Sequence, residues 1–143
     1  IAAPDCASLT ELGTKIQQIF ASNVTEKAAI TTDSAIAQHP ITQAVDGMAN
    51  TYWQADYGQE SDTITLNFPK PQKVSCVVLG EHLPTGQRIE SGEIWADGSK
   101  ASEFTVVGHK RICRFAPVEV QTLTIKITAS RTEPTLRLLE VYQ

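Results

Sequence analysis

The most constraining feature of this chain is a change of hydrophobic period near residue 25. Before it, Leu9, Leu12, Ile16, Ile19 and Phe20 recur at three- and four-residue intervals, and Ser8 followed by Glu11 has the form of a capping box, so one amphipathic helix is expected over 8–20. After it the period is two. Thr63-Ile64-Thr65-Leu66-Asn67-Phe68 alternates cleanly, and β-rich runs follow at 74–79, 89–95, 103–107, 111–115, 120–128 and 136–142. Turn chemistry separates them, in Pro69-Lys70-Pro71, Pro84-Thr85-Gly86, Ala96-Asp97-Gly98, Ala116-Pro117 and Glu133-Pro134. Short strands at this spacing predict an all-β sandwich or jelly roll. With 143 residues, of which 41% are hydrophobic, the chain can bury one core. The expected division is a helix and linker over 1–24 and a β-module over 25–143. The apolar stripe of the helix must be covered, either by the sandwich or, in the reading preferred here, by a preceding domain.

Charge narrows the partners. Sixteen acidic against 12 basic residues give a net charge of −4, which argues against nucleic acid and against anionic lipid, because both need clustered Lys and Arg. A membrane partner is therefore disfavoured, and a neutral one fits better. The strongly apolar stretch 74–80 is too short to span a bilayer as a helix. Three cysteines leave one unpaired. Cys76 and Cys113 lie in strand-like runs and read as buried free thiols, with a bridge between them left open by the spacing, while Cys6 suggests neither a zinc motif nor a disulfide framework. Asn23-Val24-Thr25 is a glycosylation sequon.

One loop carries candidate chemistry. In Ala44 to Trp53, Asp46-Gly47 forms a tight turn, and the Asp46 carboxylate, neighbouring carbonyls and the Thr51 hydroxyl put several hard oxygen donors within six residues, ahead of a Trp suited to anchoring the loop. Calcium is the expected ion, and Glu140 in the last strand could close the cage. An ordinary Asp-Gly turn before a buried Trp explains the same residues equally well.

Ala44-Val45-Asp46-Gly47, Thr51-x-Trp53 and the closing Leu139-Glu140-Val141-Tyr142 resemble the discoidin group, the coagulation factor V/VIII type C domains that include family 32 carbohydrate-binding modules. The resemblance covers about 25–143. It implies an eight-stranded jelly roll with its ligand site in loops at one end and a structural calcium nearby. Carried over by position, the calcium donors are the Gln43 carbonyl, Asp46, the region of Met48, Thr51, the Leu139 carbonyl and Glu140. Met48 departs from the pattern, since many such modules have Asn or Asp there, and only its backbone carbonyl can serve.

A second resemblance is narrower. Leu9-x-x-Leu12-Gly13-x-x-Ile16-x-x-Ile19-Phe20 is similar to the helix that ends the catalytic barrel of family 29 α-L-fucosidases. Val78 to Ile89 and Lys110 to Pro117 resemble stretches of their C-terminal β-module. This implies the C-terminal region of a retaining fucosidase, whose nucleophile and acid/base lie in the barrel, upstream of Ile1, together with an extracellular or periplasmic setting.

The chain alone shows no catalytic motif. Asp56, Glu60, Asp62, Glu81, Glu90 and Glu93 form no convincing carboxyl pair at the roughly 5 Å that retention needs, and His39, His82 and His109 lack zinc spacing. The loop 80–89 is the expected contact surface. Glu81, His82, Gln87 and Arg88 supply donors and acceptors for sugar hydroxyls, Tyr52 and Tyr57 are the expected aromatic platforms, Asp56 is a weaker addition, and Trp53 and Trp95 are assigned to the core. Two functions follow. The module binds a glycan, fucosylated or galactose-ended, and holds a fucosidase near substrate; or it buttresses the catalytic domain of the same polypeptide and binds no sugar, in which case Arg88 and Glu81 pair internally or contact the barrel.

Overall fold

The computed structural model describes residues 23–48 and 50–143, and the helix expected over 8–20 lies outside them. Eight strands form among the described residues: β1 (Ala29–Thr32), β2 (Trp53–Gln54), β3 (Asp62–Gly80), β4 (Ile89–Ala96), β5 (Ser99–Phe104), β6 (Arg111–Ser130), β7 (Thr135–Leu136) and β8 (Leu138–Tyr142). The main sheet runs β1-β3-β6-β4-β5 with β8 also on β3, and β2 pairs with β7.

Two long strands replace four expected short ones. The runs 63–68 and 74–79 are both β3, and 111–115 and 120–128 are both β6, so the proline segments between them do not end strands. They sit instead in ladder irregularities, where a residue without an N–H costs no pairing. From Asn67↔Thr122 to Gln72↔Val120 the register advances five residues on β3 but two on β6, which places Pro69-Lys70-Pro71 in the excess. From Val74↔Val118 to Cys76↔Arg114 it advances two on β3 but four on β6, which places Ala116-Pro117 in the opposite excess.

These irregularities turn one ribbon into two leaves around one core. Residues 64, 66 and 68 face inward before them and 77 and 79 after them, so the inward parity inverts, and all five join a single buried cluster with Trp53, Ile94, Leu123, Ile125, Leu136, Leu139 and Val141. The first half of β3 pairs with β1, the second with β8. Val24 and Thr25 tie the start of the module to its last strand: Val24 N–H donates to the Val141 carbonyl at 2.9 Å and Val141 N–H to Thr25 Oγ1 at 2.8 Å.

Parity also relocates Trp95. Ile94 is fully buried, so its neighbour points outward, and Trp95 lies half-buried on the outer face, donating from Nε1 to Glu93 at 2.9 Å with Lys126 Nζ 4.5 Å above its ring. Its expected place in the core is corrected accordingly. Trp53 is in the core, and donates to the Ser34 carbonyl at 3.0 Å. Cys113 is a buried free thiol, held protonated by that burial, whereas Cys76 is not free as expected but disulfide-bonded. The pairing of Cys76 with Cys113 that the spacing left open does not form. Cys76, Val78 and Tyr142 make a separate apolar cluster on the far side of β3 and β8 from the core.

Candidate functional site

The connections near 33–40, 51–58, 81–88, 105–110 and 131–137 meet at one end of the sandwich, held there by backbone bonds. Ile36 and Gln54 fix the first to β2, through Ile36 N–H to the Gln54 carbonyl at 3.0 Å and Gln54 N–H to the His39 carbonyl at 3.2 Å. Gly80 and Arg88 fix the last, accepting from Arg137 N–H at 2.8 Å and Arg131 N–H at 2.9 Å.

Three rings form the centre. Tyr52 is stacked between His39, at 3.9 Å between centroids and 19° from parallel, and His82, at 3.7 Å and 10°. His39 is oriented by its Nδ1–H, which donates to Gln43 Oε1 at 2.9 Å, and His82 by its backbone N–H, which donates to Thr135 Oγ1 at 3.2 Å. Burial, then His39, then Arg88 hold the His82 imidazole below its ordinary pKa. Both faces of Tyr52 are therefore covered, and it offers a ligand its edge and hydroxyl rather than the stacking face that the sequence suggested.

Glu81 has a different task from the one expected. It is fully buried, and its carboxylate accepts from the backbone N–H groups of Arg88 at 2.7 Å, Ile89 at 3.0 Å and Gly108 at 2.7 Å. It fastens the 81–88 loop to the 105–110 loop and has no surface for a ligand. It meets Arg88 at the main chain, not as the side-chain ion pair considered above. The Arg88 guanidinium instead donates from Nη1 to the Glu133 carbonyl at 2.9 Å, and its buried Nε has no partner.

Glu133, which the sequence reading passed over as part of a turn, organises the rim. Its carboxylate accepts from Gly58 N–H at 2.8 Å and from the Thr132 hydroxyl at 2.8 Å, which, with a smaller contribution from Arg88, keeps it below the usual carboxylate range. The Gly58 bond holds the neighbouring Tyr57 side chain at the surface, 76% exposed. Gln87 is exposed beside Gly108, and Asp56 is exposed with its N–H on Ser34 Oγ at 3.0 Å. The fold thus gathers Tyr52, Tyr57, His82 and Arg88 and adds His39 and Glu133. The only signal for the additions was a His-Pro ahead of a short helical turn at Ile41–Ala44 and a Glu-Pro ahead of β7.

The oxygen-rich loop is also assembled. Thr51 Oγ1 donates to Asp46 Oδ2 at 2.6 Å and stands 3.4 Å from the carbonyls of both Gln43 and Met48, while Asp46 Oδ1 accepts from Met48 N–H at 2.9 Å. Four of the six expected donors therefore converge, and Met48 contributes its carbonyl while its side chain is 53% exposed. A cavity of about 190 Å³ joins Asp46 to Leu139 and Glu140. Among the described residues no group of three or more His, Cys, Asp or Glu gathers for a metal, so any ion here would be held largely by neutral oxygens, a set that suits calcium. Glu140 is engaged by the Tyr142 hydroxyl at 2.9 Å, and that phenol is held protonated by burial and by the adjacent carboxylate.

No family model matches the chain. Across 99% of its length it is 24% identical to "Putative alpha-L-fucosidase 1" of Oryza sativa subsp. japonica, of which it spans 29%. A Ruminococcus gnavus family 29 fucosidase in complex with fucose superposes with a TM-score of 0.84 at 24% identity, over 94% of this chain and 29% of that one. The family 32 carbohydrate-binding module of C. perfringens NanJ, in complex with galactose, superposes with a TM-score of 0.74 at 20% identity, over 85% of this chain and 98% of the module. The chain spans under a third of the fucosidases it matches and almost the whole of the binding module. The chain is thus similar along its length to part of an α-L-fucosidase, and its β-sandwich has the fold of the family 32 carbohydrate-binding modules.

Proposed function

We propose that this module binds a glycan at the loop end and, within an α-L-fucosidase polypeptide, holds the catalytic domain near its substrate. The observation that carries this reading is the gathering of Tyr57, Arg88 and the imidazole edges of His39 and His82 on one rim by Glu133 and Glu81. The side chains that face outward there are polar or aromatic, while the carboxylate that could have competed for them is turned inward. An exposed ring beside convergent donors is what a sugar needs, the ring for its C–H face and the donors for its hydroxyls. Tethering raises local substrate concentration without new chemistry, and the gain depends on the linker rather than on this module. Galactose in the NanJ module and GalNAc in a ZmpB module support a galactose-configured ligand here.

The oxygen loop would hold calcium through the Gln43 and Met48 carbonyls, Asp46 and Thr51, with Leu139 and Glu140 across the cavity. The ion would brace the loop that carries Tyr52. The disulfide at Cys76 supports an oxidising, extracellular or periplasmic setting.

Titration of the chain against a glycan array containing fucosylated and galactose-ended oligosaccharides, with and without calcium, tests the assignment. Selective binding that weakens in Tyr57→Ala and Arg88→Ala is expected. Silence across the array would leave the structural buttress, a reading favoured by the covered faces of Tyr52 and the internal use of Glu81.

A further inference from the structure

One patch on the outside of the sandwich is covered. Cys76, Val78 and Tyr142 point away from the core, on the side of β3 and β8 opposite Val77, Leu79 and Val141, yet they are only 1%, 4% and 6% exposed. Among the described residues Leu138 is the further apolar side chain packed against them, and one half-buried leucine is too small to take three side chains out of water. Ile112, the ladder partner of Val78 on β6, is 38% exposed and marks where the cover stops. The polar tip of the patch is satisfied, because the Tyr142 hydroxyl donates to Glu140 at 2.9 Å. Outward residues of a sandwich ordinarily meet water, so a patch this dry has an apolar segment over it.

Two observations say which segment. Cys76 is disulfide-bonded, Cys113 is a free thiol on the inner side, and the chain has three cysteines, so within one chain the remaining partner is Cys6, a pairing that its spacing did not suggest. Asn23 bridges to Tyr142, and Tyr142 pairs with Cys76, so the polypeptide ahead of Asn23 leaves from the same ladder row, two strand spacings or about 10 Å from Cys76. Cys6 also stands three residues before Leu9, in register with the stripe of Leu9, Leu12, Ile16, Ile19 and Phe20. A helix over 8–20 would be about 20 Å long, and the few residues at its two ends, at about 3.3 Å each, let Cys6 and Asn23 both reach that row.

We propose that the segment 6–20 of this chain is the cover: Cys6 is bonded to Cys76, and the stripe lies on Val78, Tyr142 and Leu138. Forming the bond joins Cys6 Sγ to Cys76 Sγ with loss of two protons and two electrons. These pass by thiol–disulfide exchange to a disulfide oxidant such as oxidised glutathione, whose own S–S bond breaks to give two thiols. The stripe is then covered by the sandwich and not by a preceding domain. This face is closed to a catalytic barrel or a second copy, and a tether to anything ahead is counted from Cys6, not from Asn23.

The experiment is non-reducing peptide mapping of the chain by mass spectrometry after free thiols are alkylated in denaturant, paired with tyrosine nitration of the native chain. A linked peptide pair holding Cys6 and Cys76 is expected, with Cys113 alkylated. Tyr57 should nitrate readily and serve as the internal reference, and Tyr142 should react at least about tenfold more slowly beneath its cover. Cys6→Ser should make Cys76 alkylatable and lower the thermal midpoint by about 10 °C. Leu12→Asp with Ile16→Asp should bring Tyr142 towards the reactivity of Tyr57, because the stripe can no longer seat. Cys76 found alkylated, linked to Cys113, or linked to Cys76 of a second copy would overturn the pairing, and the last would make this face an interface between copies. Tyr142 as reactive as Tyr57 in the parent chain would overturn the cover. So would protection of Tyr142 that is unchanged in the double-aspartate variant, since another segment would then lie there. Should that variant fail to fold, the mapping and nitration of the parent and of Cys6→Ser still decide.

Discussion

Tyr52 lies flat on His82, 3.7 Å between centroids and 10° from parallel, with its opposite face covered by His39. The contact joins the loop before β2 to the loop after β3, so the ring acts as a spacer that sets the distance between two imidazoles. Tyr52→Leu should leave the sandwich folded, with a loss of about 1 kcal/mol from the missing ring contacts, but should weaken glycan binding by more than tenfold as the imidazoles lose their fixed spacing. Thermal denaturation paired with glycan titration checks this. Binding that follows stability alone would show that the stack does not shape the site.

Acid should loosen the same end of the molecule. His82 is held below its ordinary pKa, so at mildly acidic pH the unfolded chain binds more protons than the folded one. Its contribution is present above pH 6.5, the unfolded value, and is lost as pH falls through the lower folded value. His82→Gln should remove that component, so the variant and parent stability curves should converge towards pH 5 and separate above pH 7. Thermal midpoints across this range decide the point. Curves that remain parallel would refute the linkage.

Glu81 is the buried fastener of the ligand loops, and its replacement should be costly. In Glu81→Gln one of the two oxygens becomes an amide that meets a backbone N–H, so a donor faces a donor and a charge-assisted bond is lost. A loss of roughly 2–4 kcal/mol is expected, with faster amide exchange at Arg88, Ile89 and Gly108. Denaturant unfolding and hydrogen exchange would measure the two effects. A change below about 0.5 kcal/mol would contradict the role given to the carboxylate.

Asp46 offers a test of the calcium proposal. Its carboxylate holds Met48 N–H and the Thr51 hydroxyl, so Asp46→Ala should cost about 1 kcal/mol even in chelator. The parent alone should gain a further rise in midpoint with calcium. Equal losses with and without calcium would show an ordinary turn and no ion.

How much of this was legible in the sequence follows from range. Alternation in 63–68, the turn residues and the Asp46 to Trp53 spacing are local, and they determined an all-β module and the oxygen-bearing loop, because side-chain parity and turn dihedrals depend on neighbours in the chain. The prolines marked real irregularities, but whether these end a strand or bend it depends on the partner strand. Only the β3 and β6 pairing, in which each strand carries the excess opposite the other, made two long strands of four short ones. Trp95 shows the same limit: its run was read as a strand, but its face was decided by Ile94 pointing into the core.

The site was decided later still. Tyr52, His82 and Arg88 could be nominated as polar or aromatic residues near turns. That Tyr52 would be capped on both faces, that Glu81 would turn inward and that Glu133 would pin Gly58 from 75 residues away could not. Those outcomes depend on which loops share one end of the sandwich, and burial there requires each carboxylate to find whichever N–H groups the fold brings to it. The sequence by itself determined the module and its chemical vocabulary. The tertiary structure decided which of those groups hold the loops and which are left to face a ligand.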